Sequence, residues 1–269
     1  MTGVTIAANT GFLWKSLPFP ERIARAGRAG FDAVEFHDEA QDHDLADVRA
    51  ALREAGLPLL GLNARMGDTA GCAGVPGMEA RAREDIDHAI ETAAMLNGRA
   101  VHVLAGKVNE SEEAWEAYRA NLLYAAQRAA ASRTPAAPDG ITVLIEPLSA
   151  KAMPGYLLAS VARAASVIEW VGASNLKIMF DVFHVRSNGD DVVETCRAYA
   201  PHIGHVQLAH PETRHEPPTA GPHAVGPMIA ALREAGHGGE FGAEYVPEAE
   251  VEDGLGWMAA ARGARGVRR

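Results

Sequence analysis

Cysteine is nearly absent from this sequence: Cys72 and Cys196 are the only two in 269 residues. Two are too few for a disulfide framework, which suits a reducing compartment. Positive charge is also short. Lys and Arg number 25 against 35 Asp and Glu, and the net charge of -10 argues against capture of DNA or RNA backbone. No apolar run approaches the roughly 18 residues of a bilayer span. The start, "MTGVTIAANTG", has no basic region followed by an apolar stretch, so no signal peptide is expected. The expectation is a soluble, cytoplasmic protein that contacts neither nucleic acid nor membrane. The first apolar run leads into "IAANTGFLW", which lacks the GxGxxG turn of a dinucleotide-binding sheet. No Pro/Gly-rich linker divides the chain, so residues 1–269 read as one domain.

What is present is a regular alternation of short apolar runs and longer alanine-rich stretches of helical period. Strands are expected at 4–9, 31–36, 57–63, 99–106, 141–147, 175–181, 203–209 and 240–246. Helices are expected at 20–30, 45–56, 78–97, 111–131, 155–172, 190–200, 226–236 and 252–263. Gly30 and Gly56 suit left-handed helix ends, and Ser111 followed by Glu112 and Glu113 reads as an N-cap with favourable first-turn charge. Eight strand–helix pairs with strands apolar on both faces indicate a closed parallel (β/α)8 TIM barrel rather than an open sheet.

In such a barrel the reacting face lies at the C-terminal ends of the strands. The polar residues there are Asn9, Glu35 with His37, Asn63, His102, Glu146, Asp181 with His184, Gln207 and Glu244. Converging buried carboxylates need a cation, a proton or a basic partner. Glu146, Asp181 and Glu244 with the amide oxygen of Gln207 make an oxygen-rich set suited to Mg²⁺ or Mn²⁺. They are expected to share one mouth, with Glu146 and Glu244 within roughly 10 Å so that both flank one small substrate. Glu35 reads instead as a salt-bridge partner of Arg25 or Arg28. His205 reads as structural, one layer below Gln207, and His102 as either a packed histidine or a lining of the site. His184 can donate to a substrate oxygen. Arg214, Lys107 and Arg65 are the cations available to hold a carboxylate, with Lys107 and Arg65 equally readable as solvated surface. His210, His215 and His223 lie in one loop, but without an accompanying cysteine they read as ordinary loop histidines rather than a zinc site.

Around these residues the sequence resembles the hydroxypyruvate isomerase family, within the xylose-isomerase-like barrels of sugar isomerases and epimerases. The resemblance runs from "AAN" near the start to "GLGWM" near the end. It is carried mainly by "IEPL" (145–148), "NLKIMFDVFH" (175–184), "IGHVQLA" (203–209) and "GAEYVP" (242–247). It implies that Glu146 and Glu244 are the catalytic pair and that Glu146, Asp181, Gln207 and Glu244 hold a divalent metal. It also implies that His184 and Arg214 bind substrate, and Lys107, Asn63 and His102 are the further substrate-binding candidates. The implied reaction converts hydroxypyruvate to 2-hydroxy-3-oxopropanoate by enediolate proton transfer, or acts on a 2-oxo-tetronate. A ketose 3-epimerase and a non-catalytic sugar-acid binding protein are the alternatives. More distant epimerases usually carry histidine where Gln207 stands, and the amide oxygen is the weaker ligand. The loop 210–223, "HPETRHEPPTAGPH", keeps Arg214 and the "EP" pair but departs from the family pattern at His210 and Pro218, so substrate identity is less constrained than reaction type. Trp115, Trp170 and Trp257 read as packing, with a homo-oligomer interface as the alternative.

Overall fold

The computed structural model describes residues 3–263. Eight short parallel strands form the centre: β1 Ile6–Asn9, β2 Ala33–Phe36, β3 Leu59–Asn63, β4 Ala100–His102, β5 Thr142–Ile145, β6 Leu176–Asp181, β7 Ile203–Leu208 and β8 Phe241–Ala243. They are hydrogen-bonded in sequence order, and β8 pairs back onto β1 to close a barrel. The strands are buried almost throughout because helices cover their outer faces and the barrel covers their inner ones. The helices are α1 Phe19–Arg28, α2 Leu45–Ala55, α3 Glu79–Met95, α4 Glu112–Ala131, α5 Val161–Val171, α6 Val182–Ser187, α7 Val192–Tyr199, α8 Val225–Glu234, α9 Val251–Gly254 and α10 Trp257–Arg262. No helix among the described residues is long and apolar enough to cross a membrane.

Local chemistry explains most boundaries. The Asp44, Ser111 and Ser160 side chains accept backbone N–H groups at the starts of α2, α4 and α5. Gly56 ends α2 in the left-handed conformation at φ 69°. Three expectations need correction. The helix read at 155–172 begins only at Val161, because the segment before it is held extended: Tyr156 bridges Lys107 and Leu148 N–H bonds to Leu158 O. The helix read at 252–263 is two short helices, interrupted at Leu255 and Gly256, with the Gly254 backbone packed against the Glu216 side chain. An extra helix, α6, follows β6 directly, because the Asp181 carboxylate turns inward and caps it, accepting Phe183 N–H at 2.7 Å.

The register is irregular between Val34 and Glu35 on β2 and between Ile178 and Met179 on β6. Such shifts rotate the side chains that follow them. Small residues line part of the interior, where Ala7, Ala33 and Leu60 form a separate cluster. Beneath the strand-end residues lies a cavity of about 330 Å³, lined among others by Asn9, Glu35, His102, Met179, His205 and Gln207.

Candidate active site

Three acids separated along the chain meet at the top of the barrel, linked by short contacts. Glu244 Oε1 accepts from Arg214 Nη2 at 2.8 Å, and Glu244 Oε2 accepts from Asn9 Nδ2 at 3.1 Å. The same Arg214 Nη2 lies 3.5 Å from Asp181 Oδ2. His184 Nε2 lies 3.7 Å from Asp181 Oδ2 and 3.8 Å from Glu146 Oε1. Glu146 Oε2 is in turn 3.8 Å from His102 Nδ1.

Burial of several carboxylates together has a direct electrostatic consequence. Burial pushes Glu146 well above the ordinary carboxylate range, and the charges of Glu244 and Asp181 push it further. Burial also pushes Glu244 up, to about 8, although Arg214 pulls against it. For Arg214 burial opposes the charge, but Glu244, Asp181 and Glu146 outweigh it and hold the guanidinium above its ordinary value. A cluster in this state takes up a cation or a proton readily.

Which cation fits is legible from the atoms left over. Glu146 Oε1, Asp181 Oδ2 and Gln207 Oε1 are buried acceptors without a hydrogen-bond partner. Buried polar atoms in native proteins are nearly always satisfied, so three orphaned oxygens in one mouth fit a hard divalent ion. Gln207 is the register partner of Asp181 on the neighbouring strand. Its Nε2 donates to Glu35 Oε1 at 3.0 Å, so the amide presents its oxygen on the other side.

Glu35 therefore has a different use from the one its sequence neighbours indicated. Arg25 lies on the outer helix α1 and pairs with Glu252 at 3.1 Å, whereas the Glu35 side chain points into the barrel. There it contacts His205 Nε2 at 2.7 Å and accepts from Asn9 Nδ2 at 3.1 Å and Gln207 Nε2 at 3.0 Å. Burial opposes its ionisation, but His205 and these hydrogen bonds outweigh burial and hold it below the ordinary value. The Gly242 backbone makes room for it, since a Cβ there would collide with its carboxylate.

Glu146, Asp181 and His184 each offer an atom within 4.8 Å of the others, the one such group of three among the described residues. Proton placement argues that the histidine is not a ligand. The Ser149 backbone N–H donates to His184 Nδ1 at 3.1 Å, so that nitrogen carries the lone pair. Burial lowers the His184 pKa to about 4, leaving a neutral ring with its one proton on Nε2. A metal-binding histidine has the opposite arrangement, donating its remote N–H to the second shell. His184 Nε2–H, itself unpartnered, is a donor aimed into the mouth.

The other candidates differ in placement. His102 and Asn63 are buried together, with His102 Nδ1 3.1 Å from Asn63 Oδ1; burial lowers the His102 pKa to about 3, and its Nε2 has no partner. Lys107 is exposed on the segment after β4. Arg65 is committed to Asp42 through contacts of 2.6 and 2.7 Å. In the loop after β7, His215 Nδ1 contacts Val246 O at 2.9 Å and the His210 and His223 rings lie 5.9 Å apart, without forming a group with other metal-ligating side chains among the described residues. Trp257 is fully buried against Tyr245 and Trp115 is buried, while Trp170 is exposed beneath the Arg119 guanidinium. Sequence reasoning overlooked Phe12, Phe183 and Ser149, all of which touch site residues. Phe12 and Ser149 meet partners distant in the chain, and Phe183 lies inside the segment 175–184 without a polar group to single it out.

Comparison with known proteins bears on the family and the fold. A family model described as a xylose isomerase-like TIM barrel matches residues 23–261. A 2-oxo-tetronate isomerase of Cupriavidus necator is 36% identical over 259 residues, covering 94% of this chain and 96% of that protein. A putative hydroxypyruvate isomerase of Drosophila melanogaster is 32% identical over 266 residues, with coverage of 94% and 96%. Among solved structures, one described as an AP endonuclease, family 2, from Brucella melitensis superposes with a TM-score of 0.88 at 30% identity, covering 96% of this chain and 99% of that one. A D-psicose 3-epimerase has a TM-score of 0.79 at 18% identity, covering 97% of this chain and 99% of that one, a likeness of fold alone.

Proposed function

The chain belongs to the xylose isomerase-like TIM barrel family, and from that membership we propose that it isomerises a small hydroxy-oxo acid, with hydroxypyruvate and the 2-oxo-tetronates as the substrates to test first. The observation that carries the reading is the pair of buried glutamates, Glu146 and Glu244, gathered with Asp181 around one arginine. Binding alone needs no such acid–base couple, and this favours an enzyme over a sugar-acid binding protein.

In the proposed reaction one glutamate removes a proton from the hydroxyl-bearing carbon of the substrate. The electron pair becomes the second bond between the two carbons of an enediolate; the hydroxyl then loses its proton as the carbonyl forms at the first carbon, and one proton each goes to the neighbouring carbon and to its oxygen. The second glutamate serves that neighbouring carbon or its oxygen. His184 Nε2–H donates to a substrate oxygen as charge develops there, and Arg214 holds the carboxylate. Glu146, Asp181, Gln207 and Glu244 would hold a divalent ion, which when bound supplies electrostatic stabilisation of the substrate oxygens. Asn63 and His102 complete the wall of the mouth. Lys107 would reach substrate only from the exposed rim.

A nuclease reading, prompted by the description of the Brucella structure, is not favoured. The net charge is -10, and the two histidines at the mouth are neutral, with His184 oriented as a donor. The deciding experiment is a screen of hydroxypyruvate, 2-oxo-tetronates and free ketoses with and without Mn²⁺, with incorporation of solvent deuterium read alongside. Turnover of a hydroxy-oxo acid with deuterium entering the product supports the proposal. Absence of turnover on all hydroxy-oxo acids, with or without Mn²⁺, refutes it.

A further inference from the structure

The cation at the mouth is held in an unusual way. Arg214 sits in the left-handed backbone region at φ 64°, a conformation that is unfavourable for a residue with a side chain. The turn is clipped on both sides. Arg214 N–H bonds to His210 O at 3.0 Å, and Val246 N–H, just beyond β8, bonds to Arg214 O at 2.8 Å. The guanidinium carbon then lies 4.7 Å from the centroid of the Phe12 ring and 5.1 Å from that of Phe183. These rings come from the turn after β1 and from α6, which follows β6. Nη2 is spent on Glu244 and Asp181, but Nε is buried without a partner. Arg25 and Arg99 also bury an unpartnered Nε, but only at Arg214 does that edge lie beside the site acids, where a substrate acceptor can satisfy it.

We propose that Phe12 is a positioning residue for substrate recognition: its ring holds the Arg214 guanidinium so that the unpartnered Nε edge faces a carboxylate in the mouth. This deepens the proposed function and rests on it for the choice of a carboxylate-bearing substrate. The local structure is built for the purpose. The Gly11 N–H donates to Asn9 Oδ1 at 3.0 Å, and the Gly11 backbone lies so close to the His37 ring that any Cβ would collide with it. The Phe12 ring meets the edge of that imidazole at 5.4 Å and an interplanar angle of 87°. It is thereby oriented toward Arg214. Phe183 also packs against the guanidinium, but its ring neighbours His184 and its N–H donates to Asp181, so Phe12 is the cleaner position to perturb.

The test compares F12L and F12W with the wild type in the presence of Mn²⁺. Calorimetry measures binding of D-glycerate, a non-isomerising carboxylate analogue of hydroxypyruvate, with glycerol as the uncharged control. Loss of a desolvated cation–π contact weakens D-glycerate binding about tenfold in F12L, and F12W restores it to within about threefold of wild type. With hydroxypyruvate the loss falls on KM by a similar factor and not on kcat, the signature of lost ground-state binding. Melting temperature serves as the control for packing. D-glycerate affinity in F12L equal to wild type, or a loss that F12W does not restore, overturns the proposal. Wild-type binding of D-glycerate no tighter than glycerol overturns it as well. If the wild type binds D-glycerate, F12L weakens that binding and hydroxypyruvate is still not turned over, the isomerase reading fails while the role of Phe12 stands.

Discussion

Glu35 is where structure and site are most tightly joined, and Glu35→Gln tests that joint. The carboxylate is 4% exposed and faces three donors: His205 Nε2 at 2.7 Å, Gln207 Nε2 at 3.0 Å and Asn9 Nδ2 at 3.1 Å. An amide of the same shape keeps one acceptor and turns the other position into a donor. If that donor faces Gln207 and Asn9, three NH₂ groups are set against one another. If it faces His205, the imidazole must supply its lone pair instead. In both cases the carboxylate charge that these donors face is gone. Hydrogen bonds to a charged group contribute roughly 1.5–3 kcal/mol, and the contacts an amide retains put the cost of E35Q at about 2 kcal/mol. Urea denaturation at neutral pH measures this.

The pH dependence gives a second reading of the same interaction. Because the folded state holds the Glu35 pKa below its unfolded value, its contribution is fully present above the unfolded value, about 4.5, and is lost as pH falls through the lower folded value. The wild-type advantage over E35Q is therefore largest near neutrality and shrinks in acid. Since Glu35 orients the Gln207 amide, E35Q should also weaken Mn²⁺ binding about tenfold, the usual size of a second-shell effect. A stability change under about 0.5 kcal/mol, together with unaltered Mn²⁺ affinity, would show that neither the pair nor the orientation matters.

E146Q and E244Q should each lower turnover by about 10²–10⁴-fold while the metal-free protein melts no lower than wild type, because the glutamine replaces a buried acid whose charged form is disfavoured. Near-normal rates in either variant contradict the catalytic assignment. His184→Gln should depress kcat at least about tenfold yet change Mn²⁺ affinity less than about threefold, since the ring is a donor and not a ligand; a hundredfold loss of Mn²⁺ affinity would reverse that conclusion. Burial lowers His237 to about 4 while its Nε2 contacts Glu240 O at 3.0 Å. Its neutral form favours the folded state above the unfolded pKa near 6.5, and this stability is lost as pH falls toward 4, by up to about 3 kcal/mol. His237→Gln should flatten that part of the acid limb, and parallel curves for the two proteins would refute it.

The chain's local pattern was enough to identify the barrel and most of its mouth. Apolar runs buried on both faces, separated by helices with Ser, Asp and Gly at their ends, allow few topologies other than a closed parallel sheet. The carboxylates at the ends of β5, β6 and β8 were visible because charge at the end of an apolar run is chemically conspicuous. Glu146, Asp181, Gln207 and Glu244 stand out from that pattern alone. The helical period over 155–172 extends beyond the start of α5 at Val161, since the extended pairing of Tyr156 with Lys107 is a tertiary contact.

Tertiary structure alone decided the partners. Glu35 meets His205 across 170 residues of chain, and the Ser149 N–H that sets the His184 tautomer lies 35 residues from it. Phe12 reaches Arg214 from the opposite end of the sequence. Hydrophobic periodicity reports which face a residue occupies, but not the register shifts on β2 and β6 that turn particular side chains toward each other. Proton positions and ion pairs depend on those last few ångströms, and closure of the barrel is what sets them.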